Sequence, residues 1–377
     1  MDFSSAYSTS TVATAAACLG AVVVGVYVVW GPDFFFRKRG QCPGLTNLGN
    51  TCFMNAILQG LAALPPVREW LIDTSSISNA GPLATALVHV LTVLNEEREG
   101  AHSPSSILRA LRHYRWSIDS QQQDAHELYH VILTTLAEEM TPCPSLLSEV
   151  QKLLESGQEN SRSIAWTKTG CVYPPEKPVK CPLQGLLTSE LLCCVCNYAC
   201  PMRYEMFDSL SLTLPTVQSQ CSLQSCMADY VRSEVVHEVE CPHCSEVAKK
   251  KVKRKFWKRL QLGRPPDCLC IHFKRTTWGN DGQLHKNNTF VSFPISLNIS
   301  QYLKSHSRVK GGSSHTYTLY AVTEHLGGPF SGHYQTYRRV KERQWVCTSD
   351  TVVYGATAHE VTNCTAYMLF YCKSRIL

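Results

Sequence analysis

Charge is scarce in this chain. Charged residues make up 18% of 377, and 36 Lys and Arg against 30 Asp and Glu leave a formal net charge of +6, too mild to argue for nucleic acid. The first thirty residues hold no Lys or Arg at all, so the apolar run among them lacks the basic leader of a secretory signal peptide. Disordered composition is missing too: with 44% hydrophobic residues the chain can build one large or two modest domains. Nor is there a disulfide framework. The 19 Cys are odd in number, and many lie in pairs at metal-ligand spacing, which reads as a reducing compartment with zinc and a reactive thiol. The Asn-x-Ser/Thr triplets at Asn287, Asn298 and Asn363 are then coincidental.

Residues 11–30, TVATAAACLGAVVVGVYVVW, carry no charge and are long enough to cross a bilayer as a helix. Arg37-Lys38-Arg39 follow closely, which keeps the rest of the chain on the cytosolic side. The expected division is a leader and anchor over 1–35 and a catalytic domain over 36–377.

The stretch from Gly44 to Asn55, Gly-Leu-Thr-Asn-Leu-Gly-Asn-Thr-Cys-Phe-Met-Asn, sets a thiol, Cys52, at the start of an apolar helical pattern. The helix N terminus and its unpaired N–H groups are expected to lower the pKa of that thiol. Gly49 permits a tight bend before the helix, and Asn47 can aim an amide at the oxygen of a carbonyl under attack. Pro65-Pro66 end the helix. Further helices are expected after Ser103-Pro104-Ser105-Ser106 and after Asp124, each with N-cap chemistry, in a helical unit over about 45–155. Residues 156–180 read as a loop.

Cys193-x-x-Cys196 and Cys241-x-x-Cys244 are two knuckles that together make a closed tetrahedral Zn²⁺ site, structural because four thiolates leave no position for a reacting water. Cys194 competes with Cys193, which alone gives the two-residue spacing to Cys196. Between the knuckles, Met206 to Pro215 alternates with the strand period. The run from Lys249 to Arg259 is basic and could suit nucleic acid, but no base-reading signature accompanies it. Pro266 to Arg275 reads as a buried strand, Thr318 to Val322 as another. Two histidines, His325 and His333, follow as possible bases for the thiol, and Trp345-Val346-Cys347-Thr348-Ser349-Asp350 lies beyond them.

These motifs together resemble the ubiquitin-specific proteases, over residues 41–373. The segment around Cys52 is similar to the family's Cys box, Gln122-Gln123-Asp124-Ala125-His126-Glu127-Leu128 to its Gln-Gln-Asp element, and Gly332-His333-Tyr334 to its His box. The resemblance implies an α+β, papain-like cysteine protease of thumb, palm and fingers architecture: thumb about 45–185, zinc-bearing fingers about 186–262 and palm about 263–377. It implies Cys52 as nucleophile, His333 as base and Asn47 as oxyanion donor, with Asp124, Gly332 and Tyr334 along the tunnel for the extended ubiquitin tail. Gly332 also leaves backbone room for that tail. The family places an Asp or Asn where this chain has Ser349, with Asp350 next to it; Ser349 is expected to orient His333, and Asp350 is the competitor. A hydroxyl fixes the tautomer but brings no charge.

The implied function is hydrolysis of isopeptide bonds after the C-terminal Gly of ubiquitin. An N-terminal anchor before such a domain resembles the branch of the family held in the mitochondrial outer membrane, with the endoplasmic reticulum as the alternative address. The partners expected are ubiquitin and its chains, ubiquitinated membrane proteins and the lipid bilayer through residues 11–30, with no nucleic acid. The outcome would oppose ubiquitin-dependent turnover such as mitophagy. The rival readings are a catalytically weak ubiquitin-binding scaffold and a zinc-ribbon nucleic-acid module.

Overall fold

The computed structural model describes residues 42–77, 80–116, 123–140, 181–215, 221–279, 281–304, 315–329, 331–341 and 344–374. The apolar run at 11–30 and the expected loop at 156–180 lie outside them. Among the described residues no helix is long and apolar enough to cross a membrane.

Helices come first: α1 (Cys52–Ala62), α2 (Pro65–Ile77), α3 (Pro82–Val93), α4 (Ser105–His113) and α5 (Ala125–Met140). Pro65-Pro66 stop α1 and also start α2, because a first-turn residue has no intrahelical partner for the N–H that proline lacks. The serines expected to cap α4 do not: the helix begins after Pro104 with no side-chain cap bond. Asp124 does cap α5, its Oδ1 accepting from the N–H of His126 at 2.7 Å and of Glu127 at 3.1 Å. Every residue of α1 is buried, since other helices cover one side of it and a sheet covers the other.

Besides three two-stranded pairings, the described residues form two larger sheets. In chain order the elements are β1 (Gly185–Cys193), β2 (Arg203–Phe207), β3 (Ser209–Thr213), α6 (Leu223–Tyr230), β4 (Glu234–Glu240), α7 (Pro242–Ala248), β5 (Lys253–Arg264), β6 (Cys268–Lys274), β7 (Thr316–Gly327), β8 (Gly332–Lys341), β9 (Gln344–Ser349), β10 (Val352–Ala356) and β11 (Ala366–Lys373). The larger sheet runs β10-β9-β8-β7-β11-β6-β3, with Ser296–Asn298 paired to β7; its β3–β6 pair is parallel. The smaller sheet runs β2-β1-β5-β4, all antiparallel.

Both faces of the larger sheet are covered, which is why its central strands are apolar at nearly every position. In β6, Cys268 and Cys270 join the core under the helices while Leu269, Ile271 and Phe273 join the opposite core. In β11, Met368 and Phe370 take the first side, Leu369 and Tyr371 the second. The sheet holds α1 closely: Thr336 Oγ1 on β8 donates to Ala56 O at 3.0 Å, and a Cβ on Gly60 would stand 2.9 Å from the Phe370 ring.

Met206 to Pro215, expected as one strand, is two. β2 ends at Phe207 in the small sheet and β3 starts at Ser209 in the large one. Asp208 makes the corner: its carbonyl accepts from Tyr129 Oη at 2.8 Å, and its carboxylate from His130 Nδ1 and Ser209 Oγ, each at 3.1 Å. The stretch 186–262, expected as a single subdomain, is divided for the same reason, since β3 and α6 leave it to pack in the second core of the large sheet.

The basic run also has a structural partner. β5 pairs with the acidic strand β4, and Lys258 meets Glu234 at 2.9 Å, Lys253 meets Glu238 at 3.4 Å and Lys251 meets Glu240 at 3.7 Å. Part of the cationic charge that suggested nucleic acid is thus neutralised at home.

Candidate active site and metal centre

The loop before α1 is wound around one side chain. Asn47 Oδ1 accepts from the N–H of Gly49 at 3.0 Å, the N–H of Thr51 at 3.1 Å and the Thr51 hydroxyl at 3.2 Å. Gly49 at φ +100° and Asn50 at φ +52° make the left-handed turn this winding needs. Cys52 follows as the first residue of α1, only 3% exposed. Asn47 Nδ2 donates one N–H to Asp350 Oδ2 at 2.9 Å; an amide nitrogen carries two.

The other half comes from the β7–β8 hairpin, in which His325 lies opposite Tyr334, Leu326 opposite His333 and Gly327 opposite Gly332. Gly332 has no room for a side chain, because a Cβ would collide with Leu326 O and the His325 ring. The space that glycine preserves is therefore occupied by the protein's own hairpin. The backbone N–H of Tyr334 lowers the pKa of the Cys52 thiol, and β8 is held to α1 by the Thr336–Ala56 bond, so His333, the preceding residue, sits on the strand packed against the helix that carries the thiol. His333 Nε2 lies 2.7 Å from Ser349 Oγ at the end of β9.

Asp350, the competitor, turns elsewhere. At φ +51° it leaves the strand direction, and its Oδ1 accepts from Asn55 Nδ2 at 2.8 Å while Oδ2 holds Asn47. The hydroxyl faces the imidazole and the carboxylate faces the nucleophile's loop and helix.

The Cys52 thiol departs from expectation. Its pKa is raised, first by burial. The N–H of Tyr334 pulls it down, the charge on Asp350 pushes it up further and the N–H of Phe53 again pulls it down. Helix-end donors do act in the expected direction, but withdrawal from water outweighs them. His325 is unsuited to be the base: burial foremost, with Lys286 adding, drives its pKa down to about 4, and its ring packs on Tyr334 with centroids 4.4 Å apart.

Beside this site Asp124 Oδ2 accepts from Tyr367 Oη at 2.5 Å, and the Tyr367 and Tyr334 rings stand 5.6 Å apart. Asp124 is half-buried and Tyr334 buried, so these two expected substrate contacts sit in one aromatic cluster with Gly332 at its edge.

Sequence reasoning missed a histidine trio. His126 and His130 lie one turn apart on α5, and His272 on β6 stacks on His126 at 3.8 Å. Serines satisfy the rings, with Ser209 Oγ 2.9 Å from His126 Nε2 and Ser211 Oγ 3.1 Å from His272 Nδ1. Burial, then like-charge neighbours, lower the pKa of both His126 and His272 to about 3. The i, i+4 spacing of His126 and His130 was the available signal; His272 had none.

Far along the small sheet, Cys193, Cys196, Cys241 and Cys244 converge with all four sulfurs within 4.8 Å of one another. Tetrahedral Zn²⁺ with Zn–S of about 2.3 Å requires sulfurs about 3.8 Å apart, and Cys196 and Cys241 are at 3.6 Å. This donor set fits the ion with little rearrangement. Cys194, the competing ligand, is exposed and outside the cluster. Among the described residues this is the one group with metal-holding geometry.

A buried thiol at a helix N terminus, packed under a sheet that carries an imidazole paired with a hydroxyl, is the arrangement of a thiol-dependent hydrolase. A family profile described as "Ubiquitin carboxyl-terminal hydrolase" matches residues 43–371. Similar proteins include ubiquitin carboxyl-terminal hydrolase 30 of Xenopus tropicalis, 32% identical over 93% of this chain and 85% of that one, and its Homo sapiens counterpart, 31% identical over 93% and 88%. In fold the chain is similar to the yeast SAGA DUB module (TM-score 0.66, 22% identity, 90% of this chain and 70% of that one) and to a SAGA DUB module containing Ubp8 and bound to monoubiquitin (TM-score 0.66, 21% identity, 93% and 75%). The chain belongs to the ubiquitin carboxyl-terminal hydrolase family, and it is a deubiquitinating enzyme.

Proposed function

We propose that Cys52, His333, Ser349 and Asn47 form the catalytic set of a protease that cuts the isopeptide bond after the C-terminal Gly of ubiquitin. The observation that carries it is the pairing of His333 Nε2 with Ser349 Oγ at 2.7 Å, on the strand that Thr336 ties to the helix carrying Cys52. With Nε2 engaged, Nδ1 is the imidazole nitrogen left for the thiol. Because burial raises the pKa of Cys52, its proton has to be taken up as it attacks. Sγ gives its proton to His333 Nδ1 and bonds the Gly carbonyl carbon, and Asn47 with nearby backbone N–H groups takes the oxyanion. The tetrahedral species collapses, the C–N bond breaks and His333 returns the proton to the leaving lysine amine. Water, deprotonated by the same nitrogen, then hydrolyses the thioester and frees ubiquitin.

Asp124, Gly332 and Tyr334 are assigned to the walls of the channel for the ubiquitin tail. The carboxylate of Asp124 suits the basic residues of that tail, and Tyr367 fixes its rotamer. A ubiquitin partner is supported by the solved relative bound to monoubiquitin. The helical unit corresponds to a thumb, the large sheet to a palm and the small sheet to fingers, with Zn²⁺ at the four cysteines tying the finger tip. That ion would serve stability alone, since four sulfurs complete its shell.

Residues 11–30 serve as a bilayer anchor in this reading, with Arg37-Lys38-Arg39 keeping the catalytic domain in the cytosol. The mitochondrial outer membrane is the address, and ubiquitinated proteins of that membrane are the substrates, so that turnover such as mitophagy is opposed. The test is cleavage of purified diubiquitins by wild-type protein beside Cys52→Ala, with labelling by ubiquitin bearing a C-terminal electrophile. Labelling without turnover would favour the scaffold reading, and turnover by Cys52→Ala would remove the assigned nucleophile.

A further inference from the structure

At the end of α1 remote from Cys52 the surface opens into a cleft of about 800 Å³ between the α1–α2 junction and strands β7, β8 and β11. Its charged lining is unbalanced: Arg68, Arg339, Lys341 and Lys373 stand with one carboxylate, Glu69. Lys341 is taken by Glu97 at 2.9 Å. Among the described residues Arg68, Arg339 and Lys373 have no ion-pair partner. Arg339 lies over the rings of Tyr320 and Trp345, 5.4 and 5.7 Å from their centroids, and its buried Nε meets no acceptor. A guanidinium held near two aromatic rings with an N–H left unsatisfied can offer its remaining N–H groups to the paired oxygens of a phosphate.

The chain enters the domain beside this cleft. Cys42 is buried next to Arg338, and Pro43 O accepts from Gln59 Nε2 at 3.0 Å. Gln59 and Asn95 accept from Arg338 at 2.8 and 2.7 Å, and Asn95 lines the cleft. The eleven residues between Trp30 and Cys42 reach at most about 40 Å at full extension, so a bilayer holding residues 11–30 lies within that distance of Cys42. The 11 residues of α1 put Cys52 about 16 Å away at the opposite end.

We propose that the cleft binds the phosphate-bearing headgroup of an anionic membrane lipid, seating the domain on the bilayer with its catalytic mouth turned away. The inference rests on the anchor reading for its choice of ligand source, and on the cleft alone for its chemistry.

The full chain, purified in neutral detergent, is melted with dihexanoyl phosphatidylglycerol below its micelle concentration. The expected result is a rise in Tm of a few degrees that is absent with dihexanoyl phosphatidylcholine. The rise should vanish in the partly exposed double variant Arg68→Gln/Lys373→Gln, whose unliganded Tm stays at the wild-type value; Arg339→Gln should lose it as well. An equal rise with inorganic phosphate, a rise with a hexaglutamate peptide in place of the lipid, no rise at all, or a rise that survives in both variants would each overturn the proposal. Vesicle flotation of the wild-type chain judges the anchor separately: failure to float alongside an intact lipid shift would sink the anchor and leave the cleft site standing.

Discussion

Asp350 and Asn47 are 303 positions apart in the chain, and the carboxylate of one holds the amide of the other at 2.9 Å. The second oxygen of Asp350 holds Asn55 on α1 at 2.8 Å. One carboxylate therefore fixes the oxyanion candidate and the helix that carries the thiol, while its neighbour Ser349 serves the imidazole.

Adjacent substitutions should accordingly fail in different ways. Ser349→Ala should lower kcat roughly 100-fold by releasing His333, with Tm nearly unchanged and KM little affected. Asp350→Ala should cost about 1–3 kcal/mol of stability by removing the shortest acceptor of the Asn55 amide and leaving it the longer contacts to Leu45 O and Thr46 O, and kcat falls as Asn47 loses its anchor. Unfolding curves and steady-state kinetics on both variants check this. Full activity in Ser349→Ala with loss only in Asp350→Ala would reverse the assignment.

The same carboxylate raises the pKa of Cys52. Asp350→Asn should therefore move the pH midpoint of Cys52 alkylation by iodoacetamide downward, even while turnover declines. Mass-spectrometric rates across pH 6 to 10 read it out; an unmoved or upward midpoint would mean burial alone sets that thiol.

Gly332→Ala should abolish turnover by forcing the hairpin apart and displacing His333. The added methyl would meet Leu326 O as well as the His325 ring. Trimming the ring in Gly332→Ala/His325→Ala should therefore not restore activity, because a backbone carbonyl cannot be trimmed. Recovery in the double variant would point to the ring as the sole obstacle.

The histidine trio predicts acid lability. The folded-state pKa of His126 and of His272 is about 3, below the unfolded value of about 6.5. Between those values the unfolded chain binds more protons, so stability is fully present above about pH 6.5 and falls as pH drops toward 3. His272→Gln should flatten the slope of unfolding free energy in that window, measured by urea titration at successive pH values. An unchanged slope would assign the lability elsewhere.

Zinc removal should act on the small sheet first. The core there is Phe256 with three of the cysteines, too small to hold without the ion. About one zinc per chain is expected by elemental analysis, lost in Cys241→Ser, with a separate low-temperature transition appearing on chelation. A metal-free chain with an unaltered melt would remove the ion from the account.

Much of this was legible beforehand because the chemistry is local. Cys52 with its loop, each pair of cysteines and the capping of α5 by Asp124 depend on neighbours within a few residues. The misses share another origin. The corner at Asp208 is made by Tyr129 and His130, almost eighty positions earlier, and the trio joins α5 to a strand that only packing brings alongside. The pKa of Cys52 turned on burial, which no helix-end argument contains.

The order of residues by itself pointed to the candidate nucleophile, the candidate base, the two cysteine knuckles and the family's division into helices and sheets, since short-range spacing and backbone preference encode them. Tertiary structure alone decided that Ser349 meets His333 while Asp350 meets Asn47 and Asn55. Ser349 still points along its strand and the next residue has passed into a left-handed turn, so one peptide unit sends two neighbouring side chains to opposite halves of the site.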